Sequence, residues 1–307
     1  MRNPANQPPA PSPQPPVTIY RPNMRHETGI IETWVVMARN VWQARELIWQ
    51  LFKRDFFAQY KKSFLGATWI LIAPLVGILS WVFLQATGVL QVGEVGIPYP
   101  AYVLVGTSMW GLFLGLYQAS AATLDSGKEL IMQVNYPHEA MLFKQTGQQL
   151  ARFLVTLTLN LAILIGLRLV RPEAFAVGFP NWGMLLFPLV ALPLFFLAAA
   201  IGLFVAMVNV VAVDVTRFFG MGLGFMMYLT PVIYPADTFK NELILAVIRW
   251  NPLTYLVASC RDILIYGHLY EHNWIGYGLS SLLAFVMFLI SWRLFYVSEG
   301  QLVERMV

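Results

Sequence analysis

The sequence predicts an all-α integral membrane protein with six transmembrane helices, an N-terminal amphipathic interface helix, and short re-entrant or external helices between spans five and six. Three observations carry that expectation. The 307 residues are 58% hydrophobic and 12% charged, against roughly 25% charged in a soluble domain. Ser63–Gly93 and Val95–Leu124 contain no Asp, Glu, Lys or Arg, and each can hold the roughly 20 apolar residues that cross a bilayer. Trp69–Leu84 is apolar on nearly every side, which excludes the period-two alternation of a membrane barrel strand.

Three regions follow in chain order. Residues 1–33 read as a disordered cytoplasmic tail, with seven prolines in the first sixteen positions, too few apolar groups to collapse and no signal-peptide core. Residues 34–64 form the interface region. Within it Leu47, Ile48, Leu51 and Phe52 share one helical face, and Arg45, Glu46, Gln50, Lys53 and Arg54 lie elsewhere, the pattern of a helix lying along a membrane surface. Residues 65–307 form the six-helix domain, with spans at Leu65–Gly88, Tyr99–Leu124, Gln149–Val170, Trp182–Asn209, Val215–Ile233 and Ile275–Val297.

Between the last two spans, Leu243–Ile248 and Leu253–Ile265 are each too short to cross and are separated by Asn251 and Pro252. Flanked by Arg249 and Arg261, they read as a re-entrant or surface-lying pair. Trp274 and Tyr277 open the last span and Trp292 and Tyr296 close it, as interfacial aromatics do. With the N-terminus inside, fifteen of the twenty Lys and Arg residues fall in inner segments. The positive-inside bias therefore places both termini in the cytoplasm.

The chemistry of the spans excludes several functions. They lack a buried acid, and their ionisable groups sit at span ends, unlike the midplane relays of ion-coupled carriers. No phosphate-binding G-x-x-x-x-G-K-[S/T] loop occurs, since Gly127-Lys128 is followed by Glu129. The lone Cys260 cannot form an internal disulfide. His268 and His272 flank Glu271 without a third ligand nearby and read as solvent-facing loop histidines. A transport function would draw its energy from a partner.

Ala44–Leu75 (ARELIWQLFKRDFFAQYKKSFLGATWILIAPL) resembles the entry region of type-two ABC transporter permeases that export polysaccharides, the O-antigen, teichoic acid and capsule exporters. The matching positions are Arg54-Asp55, Tyr60-Lys61, Ser63, Leu65-Gly66, Trp69 and Pro74. Tyr228–Pro235 (YLTPVIYP) and Asn251–Ile265 (NPLTYLVASCRDILI) continue the likeness, which runs in order over residues 40 to 300. The resemblance implies a homodimeric pore in a bacterial inner membrane, driven by two copies of an ABC ATPase subunit. It also implies a substrate glycan on a lipid pyrophosphate. This chain would need no cofactor, ATP and Mg would bind the partner, and nucleic acid has no place in the scheme.

Arg54, Tyr60, Lys61 and Lys62 are candidates for the lipid-pyrophosphate interface, because cationic donors pair with phosphate oxygens; plain anchoring to anionic lipid is the alternative. Trp69, Trp81, Phe225 and Tyr228 are candidate channel aromatics, with Phe218, Phe225 and Tyr228 on one helical face, because a flat apolar ring lets sugar slide. Packing or lipid-facing aromatics are the alternative. Ala73/Gly77, Gly111/Gly115 and Gly220/Gly224 allow close helix approach.

In the inner loop after span two, the resemblance points to Glu129, Asn135 and Pro137 as ATPase-coupling contacts, against a plain solvated loop. It likewise points to Pro231, Pro235, Asn251 and Pro252 as an external gate. Two other functions compete. One is a type-two permease for drugs or haem. The other is a membrane enzyme acting on lipid-linked sugars, for which no D-x-D pair or acid–base carboxylate pair is present.

Overall fold

The computed structural model describes residues 29–61, 64–90, 92–93, 95–126, 139–212, 214–235 and 238–306. All regular structure among them is helical: α1 (Ile30–Gln43), α2 (Arg45–Lys61), α3 (Trp69–Ala86), α4 (Tyr99–Ala121), α5 (Glu139–Val170), α6 (Phe187–Asn209), α7 (Asp214–Met226), α8 (Glu242–Trp250), α9 (Pro252–Ile265) and α10 (Trp274–Met306). Five helices, α3, α4, α5, α6 with the turn before it, and α10, are long and apolar enough to span a bilayer. The pair α8–α9, bent by 80°, makes a sixth if taken as one broken span.

The core lies along α4 and α6. α6 packs between α4 and α10, α5 lies against α4, and α9 inserts among α4, α6 and α10. Tyr102, Met109, Phe113, Leu194 and Leu203 are fully enclosed. Gly202 is required where α6 crosses α4, because a Cβ there would collide with Ser120 and the Tyr117 carbonyl. By contrast α3 packs only its edge on α4 and α5 and leaves most of its surface open.

The interface region departs from a single helix. It is two helices meeting at Ala44, and the apolar face predicted at Leu47, Ile48 and Leu51 turns toward α5, where Leu47 and Ile48 pack with Ala44, Ala140 and Met141. Its exposed side carries Trp42, Trp49 and Phe57. The third span begins ten residues before its predicted start, at Glu139, and this added length is what α2 lies along.

The fifth span also differs from its expected bounds. α7 has 13 residues, or about 20 Å of helix, and the chain then turns at Met227–Tyr234 instead of continuing to Ile233. Pro231 supplies no N–H and disfavours helical backbone at Thr230. Tyr228 therefore stands in the turn beyond α7, not on the helical face shared by Phe218 and Phe225.

Candidate functional site

One wall of the molecule is built from α3, α4 and α5 around a groove of about 470 Å³. Trp69, Ala73, Gly77 and Trp81 come from α3, Thr107 and Gly111 from α4, and Gln149 and Arg152 from α5. Thr107 and Ser108 donate their hydroxyls back to the carbonyls of Val103 and Leu104, at 2.7 Å each. The wall thus combines aromatic faces and small side chains, its hydroxyls already bonded, with the polar heads of Gln149 and Arg152. Pro74, inside α3, withholds the N–H that the Ile70 carbonyl would ordinarily receive.

The predicted aromatics cluster on this side. Trp69 and Trp81 both line the groove. The Trp81 ring meets Tyr228 edge-on at 6.0 Å, and Tyr228 lies 6.5 Å from Phe225. Trp69, Phe225 and Tyr228 are exposed. Of the small-residue pairs, Gly115 packs within the chain, its missing side chain making room for Gln149, whereas Gly77, Gly111, Gly220 and Gly224 have nothing within 4 Å of where a Cβ would stand.

At one end of this wall the turn after α7 is fastened from several directions. Arg261 Nη1 donates to the Pro231 carbonyl at 2.5 Å, and its Nε donates to Asp262 at 2.6 Å. The guanidinium stands 4.4 Å above the Tyr102 ring. Asn251 donates to the Leu229 carbonyl and to Thr230 Oγ1 at 3.3 and 3.0 Å while its own Oδ1 caps α9 at Leu253. Tyr99 donates to the Ile233 carbonyl at 3.1 Å. Gly106 is required because the Val232 carbonyl occupies the place of a Cβ. Two of the gate candidates, Pro231 and Asn251, therefore belong to one bonded assembly, Pro252 opens α9 beside it, and Pro235 follows the turn.

Arg261, expected from the sequence only to flank the short helices, is buried together with Asp262, Arg261 at 2% exposure. Two charges so enclosed persist because each neutralises the other and their remaining bonds are made. The visible signal was an adjacent Arg-Asp pair inside the otherwise apolar run of α9.

The opposite end carries α2. Arg54 donates to Asp55 at 2.6 Å, and Lys144 of α5 reaches the other Asp55 oxygen at 3.0 Å. Partial burial opposes the Asp55 charge, but the bonds from Arg54 and Lys144 outweigh it and hold this carboxyl below its usual range. Of the four candidates for phosphate, only Arg54 has a described side chain, largely exposed and already paired. Tyr60 and Lys61 end α2 with side chains outside the description, and Lys62 lies outside the described residues. Lys53 and Arg45 stand over the rings of Trp49 and Trp42 at 5.4 and 5.1 Å, so this face interleaves cations and aromatics.

The coupling candidates Glu129, Asn135 and Pro137 also lie outside the described residues, but the residues on both sides of that segment are held in place. Asp125 accepts from Asn209, which in turn accepts from Thr216. Ala140 and Met141 pack on the α1–α2 junction. At the other end His268 and His272 stack on each other at 3.8 Å, with His268 half-buried.

The ABC-2 type transporter family matches residues 46–265, from the start of α2 to the end of α9. The chain belongs to that family. The match spans the groove, the fastened turn and the α2 docking site together. Among similar proteins, an O-antigen export system permease protein RfbA of Myxococcus xanthus is 28% identical over 243 residues, covering 77% of this chain and 85% of its own length. A protein of the same name from Klebsiella pneumoniae is 24% identical over 254 residues, covering 82% and 93%. In this ABC-2 chain the structural departures from the sequence reading, the short α7 and the buried Arg261–Asp262 pair, both fall inside the matched region.

Proposed function

We propose that two copies of this chain form the membrane-spanning part of an ATP-driven exporter that moves a lipid-linked, O-antigen-like polysaccharide across the bacterial inner membrane. Two copies of a separate ABC ATPase supply the energy from the cytoplasmic side. The observation that carries this reading is the aromatic run Trp69, Trp81, Tyr228 and Phe225, which begins in the groove between α3, α4 and α5 and continues past its edge. A glycan slides along such a surface at little cost, and the names of the relatives give the same substrate class.

The remaining parts have roles in that scheme. The unfilled glycine positions on α3 and α7 suit close approach of a second copy. The cation–aromatic face of α1 and α2 suits a phosphate-bearing lipid head at the membrane surface, with Arg54, Tyr60, Lys61 and Lys62 nearest its end. The segment holding Glu129, Asn135 and Pro137 receives the ATPase, and Ala140 and Met141 beside it pack against the start of α2. The turn at Pro231 is the gate on the far side.

The test is deletion of the gene in its host. Surface polysaccharide should disappear while its lipid-linked form accumulates inside, and the wild-type gene should restore export. Surface display unaffected by deletion would end this reading.

A further inference from the structure

A second cavity, of about 170 Å³, opens between α8, the start of α9 and the turn before α10. It lies at the end of the molecule opposite α2. Five side chains give it its chemistry: Arg249, Thr254, Tyr255, Tyr270 and Glu271. We propose that this cavity binds a single neutral sugar residue, a subsite for the glycan on the gate side of the protein. The inference rests on the glycan-export reading above and names a place where that substrate is held.

The size and the charge select the ligand. The cavity is well below the roughly 300–1,000 Å³ of sites for drug-sized molecules, which leaves room for about one ring. Arg249 and Glu271 bring opposite charges to the same rim, so neither an anion nor a cation is favoured, whereas hydroxyl groups can accept from the guanidinium and donate to the carboxylate. Tyr255 and Tyr270 meet edge-to-face at 6.3 Å and supply the apolar surface that the carbon face of a sugar needs.

Two features show that the pocket is built rather than left over. Thr254 lines the cavity and is 1% exposed, and its hydroxyl has no hydrogen-bond partner among the described residues. A buried hydroxyl without a partner is costly in a native structure, and a turn of the Thr254 side chain toward the cavity lets a ligand hydroxyl satisfy it. Glu271 and His272 are held at φ of 49° and 53°, a left-handed backbone uncommon in non-glycine residues. The Tyr255 ring is also positioned from behind, since a Cβ at Gly276 would strike it.

The pocket touches the gate. Phe239 on its wall stacks edge-on against Tyr234 at 4.9 Å, and Tyr234 donates to the Tyr228 carbonyl at 2.6 Å. Occupancy by sugar therefore bears on the turn after α7.

The experiment uses the purified full-length chain in nanodiscs and the methyl glycosides of the neutral sugars found in the host's surface polysaccharide. Saturation-transfer NMR should detect binding of at least one glycoside, and Glu271→Gln and Tyr255→Leu should each weaken it at least tenfold. Leu154→Ala, on the exposed surface of α5, should leave it unchanged. Glu271 is exposed, so its variant tests the site without threatening the fold. No transfer from any glycoside, or transfer equal in wild type and Glu271→Gln, overturns the subsite. If host export still depends on the gene in that case, the subsite alone has failed. If the gene is dispensable for export, the parent reading has failed.

Discussion

Lys144 Nζ lies 3.0 Å from the Asp55 carboxylate, joining residues 89 positions apart and tying α2 to α5. Lys144 is almost completely enclosed, so removing its counter-charge strands a cation. Asp55→Asn should destabilise the protein by about 2 kcal/mol, less than the loss of a fully buried pair because Asp55 keeps some contact with water. Thermal unfolding in detergent measures this, and Arg54→Ala, at an exposed position, should cost much less.

The same contact makes α2 docking sensitive to acid. Asp55 is held below its usual range in the folded state, so its contribution is complete above the unfolded value of about 3.9 and is lost as pH falls through the lower folded value. Spin labels on α2 and α5, in a Cys260→Ala background, should report a constant distance at neutral pH and a broadened one below about pH 4. In Asp55→Asn that acid-dependent change should vanish.

Arg261 predicts a larger effect. Arg261→Met leaves Asp262 buried without a partner and the Pro231 carbonyl without a donor, a loss of about 3–5 kcal/mol. Adding Asp262→Leu should recover part of it, since an apolar pair avoids the stranded charge, but the Pro231 carbonyl remains unsatisfied at about 1–3 kcal/mol. Thermal stability of the single and double variants checks both statements. Protease or thiol-reagent access at residues 227–235 should rise in each.

Gly106→Ala drives a methyl group into the Val232 carbonyl. The turn after α7 should move away from α4 while the helices stay in place. A cysteine introduced at Ile233, buried in the wild type and placed in a Cys260→Ala background, should become reactive in that variant and stay protected without it.

Trp81 and Tyr228 test the path itself. Both lie at the groove and its edge, so Trp81→Ala and Tyr228→Ala should lower the export rate severalfold; Tyr228, at an exposed position, should shift stability by about 1 kcal/mol or less, and Trp81, half-buried against the core, by more. Trp81→Phe, which keeps a ring face, should retain most of the rate. Equal export by all three variants would remove the aromatic run from the mechanism.

These sites were unequally legible in the sequence. The spans could be located because a bilayer excludes charge, and the uncharged runs at Ser63–Gly93 and Val95–Leu124 mark α3 and α4 directly. Trp69 and Trp81 were found for the same reason: they interrupt apolar runs with a recognisable chemistry. The Asp55–Lys144 bond was not legible, because no periodicity relates two charges on helices so far apart in the chain. The burial of Arg261 was not legible, because cations ordinarily stay in water and only the folded chain brings Asp262 and the Pro231 carbonyl to the guanidinium. The early end of α7 was written at Pro231, but the hydrophobicity of Val232 and Ile233 concealed it.

In the proposed mechanism this chain conducts glycan and draws its energy from a companion ATPase. The direct test is flux of lipid-linked glycan in proteoliposomes, read by a glycosidase confined to the far side. Cleavage should require this chain, the companion ATPase and ATP together. ATP hydrolysis by the purified chain alone, or glycan movement driven by an ion gradient without nucleotide, would contradict the account.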